Sequence, residues 1–355
     1  MKKLTKIVLT FIIFIFLIFF IHSTSFLFPK EKAPKNVILL IGDGMGENHI
    51  KAGEYLNGQK FKFESLPKGY VENLSMFFET TDSAAAGTAM ATGIKTNPRK
   101  ISENIFNKNE KTILELKKSE GKSTGIITTT SITDATPAVF ASHSNNRHNH
   151  DEILNDFLSI KPDIIMGGGD PKLTDLKKLS FKQNNFQVID TYDDFKLLSY
   201  KNKPIIATFG NTNLPYFDQE KIAPSLKEMT AKSLNILSKN KKGFFLMVEG
   251  GRIDDASHAL EKDRTIHEMK NFGSTVDYVL QWAKKNKDTM VIITADHETG
   301  GIKNLINKGK NKVPSFDWKN NGSHTKALVP IYIYNGNYNI NKKIIKNISI
   351  FNLMK

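Results

Sequence analysis

The sequence predicts an α/β fold, a three-layer αβα sandwich around a mainly parallel central sheet. Three observations predict it. Apolar runs of strand length recur along the chain, several are rich in Ile and Val without polar alternation, and lysine-rich amphipathic stretches separate them. A strand without alternation is buried on both faces, as inside a parallel sheet covered by helices. Strand and helix in alternation is the pattern of a layered α/β domain.

Taken in order, the first strand falls at 37–41 and runs into the turn Gly42-Asp43-Gly44-Met45-Gly46. An alanine-rich stretch at 83–92 has high helix propensity and opens after Thr81-Asp82, with Ser83 at its start. A helix at 112–120 leads to a strand at 125–129, and Asp134-Ala135-Thr136-Pro137 follows it, with Arg147 beyond. Further strands are expected at 163–166, 205–209, 244–248, 290–294 and 330–334, with helices at 224–237 and 264–284. The strand at 244–248 leads straight to Glu249, and the one at 290–294 to Asp296-His297. Gly322-Ser323-His324-Thr325 precedes the last strand. Gly121-Lys122-Ser123-Thr124 looks like the end of a P-loop, but Leu116 stands where its first glycine is required. No repeat or long linker divides the chain, so residues 29–355 read as a single catalytic domain.

Residues 1–28 read as a targeting segment. Lys2, Lys3 and Lys6 precede an apolar run at 7–21, and no Ala-x-Ala site follows in His22-Ser23-Thr24-Ser25-Phe26. The reading is export to a periplasmic or other extracytoplasmic location. Cleavage as a signal peptide and retention as an N-terminal membrane anchor through 7–21 both stay open. The chain has no cysteine, so disulfides are excluded.

The net charge of +14 comes from lysines scattered through Asn/Lys/Glu stretches. This is a solvated surface without the aromatic-interleaved basic helix of a nucleic-acid binder, and no nucleic-acid partner is expected. Arginine occurs only at Arg99, Arg147, Arg252 and Arg264, so one inside a motif stands out.

The candidate functional residues lie next to expected strand ends, where open α/β sheets bind ligands. Ser83 at a helix N-terminus faces free backbone N–H groups and can meet a phosphate, although a plain N-cap reads the same way. Asp254 and His258 share a helix face and can grip one metal, or form an ordinary surface pair. Asp296, His297 and His324 add donors of the kind zinc takes, while Asp43, Thr136 and Glu249 offer the oxygens that magnesium prefers. The planar fork of Arg147 can hold two phosphate oxygens, or a surface carboxylate.

These five motifs, in this order from about Asn36 to Tyr334, resemble the alkaline phosphatase family. The resemblance implies an alkaline-phosphatase-like fold and hydrolysis of small phosphomonoesters to alcohol and inorganic phosphate through a phosphoserine on Ser83. It implies two Zn2+ and one Mg2+ per chain. The first zinc set would be Asp254, His258 and His324, the second Asp43, Asp296 and His297. Magnesium would sit on Asp43, Thr136 and Glu249, with Arg147 as the phosphate clamp. Sulfatase relatives are disfavoured, because no C/S-x-P-x-R setting surrounds Ser83.

The chain departs from the family pattern in three ways. Asp255 stands where relatives often carry Lys, His or Trp, and is expected to bring negative charge to the magnesium site. Lys326 follows the His324-Thr325 pair where glycine is common. Only 26 residues separate His297 from His324, which is lean for the family, so a homodimer is allowed but not implied. Two other functions stay open from sequence: a phosphodiesterase or phosphonate hydrolase of the same superfamily, and a phosphate- or metal-binding protein without turnover.

Because residues 1–28 supply none of these donors, a chain lacking them should keep its full phosphatase rate. Cell fractionation of the whole chain should recover the activity outside the cytoplasm. Activity confined to the cytosolic fraction would contradict the export reading.

Overall fold

Strands β1 (Asn36–Gly42), β7 (Phe244–Gly250) and β8 (Thr289–Thr294) are buried along nearly their whole length, and they lie side by side. The computed structural model describes residues 34–355 except 78 and 220. The proposed targeting segment lies outside the described residues. Among the described residues no helix is long and apolar enough to cross a membrane.

The other strands are β2 (Lys68–Glu72), β3 (Ser123–Ser131), β4 (Ile164–Gly168), β5 (Gln187–Ile189), β6 (Ile205–Phe209), β9 (Glu298–Thr299), β10 (Ile302–Ile306), β11 (Ser315–Trp318), β12 (His324–Thr325), β13 (Val329–Tyr334) and β14 (Ile344–Lys346). Ten of them form one sheet in the order β14-β2-β13-β8-β1-β7-β3-β4-β6-β5. All its pairings are parallel except those of β13, which runs antiparallel to both β2 and β8. Every strand expected from sequence is in this sheet.

The sequence reading missed β2, β5 and β14. β2 alternates half-buried and buried residues, β5 has three residues, and β14 is largely exposed, so none carries the all-apolar signature. It also missed two short antiparallel pairs, β10 with β11 and β9 with β12. The second pair sets His324 opposite Thr299, two residues after His297.

The helices that matter for the site are α1 (Glu47–Asn57), α2 (Ser83–Thr92), α3 (Ala135–Ala141), α4 (Leu226–Leu237), α5 (Arg252–His258) and α6 (Lys262–Lys285). α6 packs against α1, α4 and α5 and lies over β1, β7 and β8. α2 and α3 pack on each other, with the helices Ile113–Ser119 and Ile348–Met354 beside them. Two helical layers thus enclose the sheet, as burial of both sheet faces requires. The alanines of α2 are all buried, and their small size lets this helix pack closely on α3.

Candidate metal and phosphate site

Strand register brings the distant motifs together at the carboxyl ends of the central strands. Ile41, the second residue before Asp43, lies opposite both Glu249 on β7 and Thr294 on β8. Thr128 on β3 lies opposite Glu249 from the other side. Asp43 and Asp296 therefore follow their strands at the same level, and Glu249 lies two residues before that level, near the end of β7. The turn after β1 is tight. Gly44 has φ of 71°, and a Cβ there would sit 2.8 Å from Asp254 Oδ1, so the backbone itself fills the gap between the two aspartates.

The histidines close one side of the cluster. His258 Nε2 and His324 Nε2 are 3.0 Å apart, and Asp254 Oδ2 is 3.1 Å from the first of them. His324 donates its Nδ1 hydrogen to the Thr81 carbonyl at 2.8 Å, which leaves its Nε2 lone pair free. The His297 ring stacks on His324 with centroids 3.5 Å apart. His297 Nε2 in turn lies 3.4 Å from Asp43 Oδ1, 3.2 Å from Asp296 Oδ2 and 3.2 Å from Ser83 Oγ. Two sets of donors each lie within 4.8 Å of one another among the described residues: Asp254, His258 and His324, and Asp43, Asp254 and His297. The sequence reading put Asp296 in the second set; Asp254 also reaches it.

Ser83 is the first residue of α2, and the Asp82 side chain caps that helix by accepting from the Ala85 N–H at 2.9 Å. The Ser83 hydroxyl is thereby left to face the histidines while its neighbour does the capping. On the far side of Asp43 is an oxygen-only group. Glu249 accepts from Thr128 and, at 3.3 Å, from Thr130, and Thr136 Oγ1 is buried without a hydrogen-bond partner.

Arg147 is held by two carboxylates that the sequence reading left without a role. Its Nη2 donates to Asp134 Oδ1 at 2.6 Å, and its Nη1 lies 3.7 Å from Asp82 Oδ2. Its backbone N–H donates to Arg99 O at 2.7 Å, which ties the arginine loop to the residues after α2. Thr128, Thr130 and Thr299 were also missed. The Thr128-Thr129-Thr130 run was a usable signal, since strand alternation puts Thr128 and Thr130 on one face beside Glu249.

Asp255 does not add free negative charge. Its Oδ2 accepts from Arg252 Nη1 and from Asn213 Nδ2, both at 2.7 Å, and the Arg252 guanidinium rests 3.6 Å from the centre of the Tyr216 ring. The expectation that Asp255 brings free negative charge to the magnesium site is therefore corrected: the half-buried Arg252 pairs with it and offsets that charge. His148 and Asn149 lie in a loop, as read from sequence, while His150 begins the helix His150–Ile160 and pairs with Asp170.

The electrostatics of the cluster call for cations. Burial, then the neighbouring Asp296, Asp254 and Glu249, push the Asp43 carboxyl well above its usual range. Burial and then Asp134 push Glu249 up to about 8. Asp254 is held low despite its burial, by its contact with His258 and the nearby imidazoles. Asp43 Oδ1, Asp296 Oδ2 and Thr136 Oγ1 are buried with no hydrogen-bond partner. Orphaned buried oxygens carry a desolvation cost, and like-charged carboxylates repel. Converging imidazole and carboxylate donors on one side and oxygens alone on the other fit divalent ions of both kinds.

The chain is similar to known proteins over most of its length. The profile of the family described as "Alkaline phosphatase" matches residues 34–350. Alkaline phosphatase 4 of Bacillus subtilis is 38% identical over 305 residues, covering 79% of this chain and 65% of the relative. The alkaline phosphatase of Escherichia coli is 30% identical over 333 residues, covering 76% of this chain and 71% of the relative. The solved alkaline phosphatase of the Antarctic bacterium TAB5 superposes with a TM-score of 0.83 at 30% identity, covering 91% of this chain and 98% of that one. A mutant of the TAB5 enzyme, at 28% identity and a TM-score of 0.81, covering 91% of this chain and 97% of its own, was solved with Mg bound in its M3 site. The chain spans 65% and 62% of the lengths of two Bacillus subtilis relatives, alkaline phosphatases 4 and 3.

A pH test follows from the raised carboxyls. In metal-free protein Glu249 keeps its proton up to about 8, whereas the unfolded chain releases it near 4.5. The folded state then binds more protons, so stability falls as pH rises through that window. Asp43, raised in the same way, adds to this fall, and so does His258, whose pKa its contact with Asp254 raises. Between pH 7 and 9 the melting temperature of chelated protein should therefore drop. Zinc and magnesium should restore it most at the alkaline end, because bound cations stabilise the ionised carboxylates. A chelated melting temperature that holds level or rises over this range would show that these carboxyls are ionised without metal.

Proposed function

The chain belongs to the alkaline phosphatase family, and on that premise we propose that it hydrolyses phosphate monoesters to an alcohol and inorganic phosphate. The observation that carries the reading is Ser83 Oγ lying 3.2 Å from His297 Nε2, where the Asp43 and Asp296 carboxylates also converge. A serine in that position is a nucleophile set among ligands, which a helix cap has no need of.

Three groups of this chain would hold the metals: Asp254, His258 and His324 one zinc, Asp43, Asp296 and His297 a second, and Asp43, Thr136 and Glu249 a magnesium. Magnesium in the TAB5 mutant structure supports a magnesium site in the family. When bound, such ions supply Lewis acidity, which neutralises phosphate charge and lowers the pKa of a coordinated hydroxyl.

Ser83 Oγ attacks phosphorus, the ester P–O bond breaks, and the alcohol departs, leaving phosphate on Ser83. A water oxygen then attacks phosphorus from the opposite side and Ser83 Oγ leaves with inorganic phosphate as product. Two in-line displacements retain configuration. The free N–H groups and dipole at the start of α2 stabilise negative charge on Ser83 and on the phosphoryl group. Arg147 clamps two phosphoryl oxygens, and its own orientation is fixed by Asp82 and Asp134 before substrate arrives. In this reading residues 1–28 carry the domain out of the cytoplasm, and residues 29–355 do the chemistry as one domain.

Ser83→Ala should abolish the phosphoenzyme and lower the rate on p-nitrophenyl phosphate by several orders of magnitude, while bound zinc measured by elemental analysis stays unchanged. Phosphoserine trapped from the mutant in acid would assign the nucleophile elsewhere. A parent rate that favours diesters over monoesters would overturn the substrate class.

Arg147→Lys should raise the inhibition constant for inorganic phosphate by about tenfold to a hundredfold, in line with roughly 1–3 kcal/mol for charge-assisted hydrogen bonds. A point charge cannot reproduce the bidentate fork. Inhibition equal to the parent's would remove Arg147 from the clamp.

A further inference from the structure

Behind the ligand cluster lies a histidine that the reaction does not use. His49, in the first turn of α1, is fully buried. Its Nδ1 accepts the Gly46 N–H at 3.2 Å, so its ring hydrogen sits on Nε2. That Nε2 is 3.4 Å from Ser257 Oγ, and the Ser257 hydroxyl hydrogen goes to Ile253 O at 2.7 Å, which leaves an oxygen lone pair for the ring. All three groups agree on one neutral tautomer. Burial lowers the pKa of the ring to about 4, so it stays neutral wherever the carboxylates work.

Each partner of His49 belongs to a segment that carries ligands. Gly46 ends the turn that begins with Asp43. Ser257 is on α5 between Asp254 and His258. Nδ1 of His49 is also 3.8 Å from Oε1 of Glu298, the residue after His297. Glu298 accepts from Gly301 N at 2.9 Å and from the hydroxyl of Thr325, the neighbour of His324. A Cβ on Gly46 would lie 2.3 Å from Glu298 Cγ, so the turn and this glutamate are in direct contact. A leucine in place of His49 would fill the space but strand the Gly46 N–H.

We infer that His49 is a positioning residue that fixes the Asp43 turn, helix α5 and the His297–Glu298 corner at the spacing in which their donors meet. It touches no substrate and no ligand atom. Its effect passes through the hydrogen bonds to Gly46 and Ser257 and the packing on Glu298, as outer partners of metal ligands commonly act. The inference rests on the ligand assignment proposed above.

The test measures zinc affinity by competition with a chromophoric chelator, alongside the melting temperature of chelated protein. His49→Phe fills the volume and removes both hydrogen bonds; it should weaken zinc binding about tenfold or more. His49→Gln can still reach Ser257 with an amide N–H and should recover most of that affinity. Ser257→Ala, which probes the same bond from the other side, should weaken zinc binding in the parent and have little further effect in His49→Phe. If His49→Phe fails to fold, the Gln and Ser257→Ala variants carry the test. Zinc affinity equal to the parent's in His49→Phe, or in Ser257→Ala, would make His49 a core filler and overturn the inference. So would additive losses in the double variant. Failure of the parent itself to bind zinc would instead sink the functional reading.

Discussion

The structure depends on a concentration of buried carboxylates. Asp43, Glu249, Asp254 and Asp296 are all under a tenth exposed and meet at the carboxyl ends of the central strands. Two like charges 4 Å apart repel by about 4 kcal/mol even at an effective dielectric of about 20. Few folds would hold such a set without compensation. Here the compensation is partial and local: imidazoles beside Asp254, threonine hydroxyls on Glu249, and backbone N–H groups on Asp296. What is left over is a deficit of positive charge, and it is located where the histidine lone pairs and the orphaned oxygens face each other.

The sheet makes this arrangement rigid. β1, β7 and β8 are apolar almost throughout, so their burial fixes their register, and with it the level at which each carboxylate leaves its strand. Packing energy is thus stored in the strands, while the polar cost is confined to the turns that follow them. Gly44 serves the same end by letting the first turn approach Asp254 with no side chain between them.

Opposite charge is placed with the same economy. Arg147 lies between Asp82 and Asp134, which together fix the direction of its guanidinium. Asp82 both caps α2 and touches Arg147, which couples the direction of the serine helix to that of the arginine. Arg252 shows the converse case: its charge is consumed by Asp255 and by the Tyr216 ring, and it is not free to meet an anion. The two arginines look alike in sequence, and only their partners tell them apart.

Much was legible in the sequence because it depends on local pattern. Unbroken apolar runs are a property of doubly buried strands, so the strands of the sheet's interior could be read, as could helix α2 from its alanines. The candidate donors were named through the resemblance of five ordered motifs, since each alone also read as a cap, a surface pair or a salt bridge. Tertiary structure decided the rest. The edge strands β5 and β14 are short, and β2 beside β14 is only half-buried, so none leaves a strong pattern. The pairing of β9 with β12, which turns His324 toward His297, joins segments whose sequences say nothing about each other. The pairing of Asp255 with Arg252 and Asn213, the cradle of Asp82 and Asp134 around Arg147, and the contacts of His49 are of the same kind. Each is a meeting of side chains from separate segments, set by strand register and layer packing. A sequence names the donors, but the distances between them exist only once the sheet has formed.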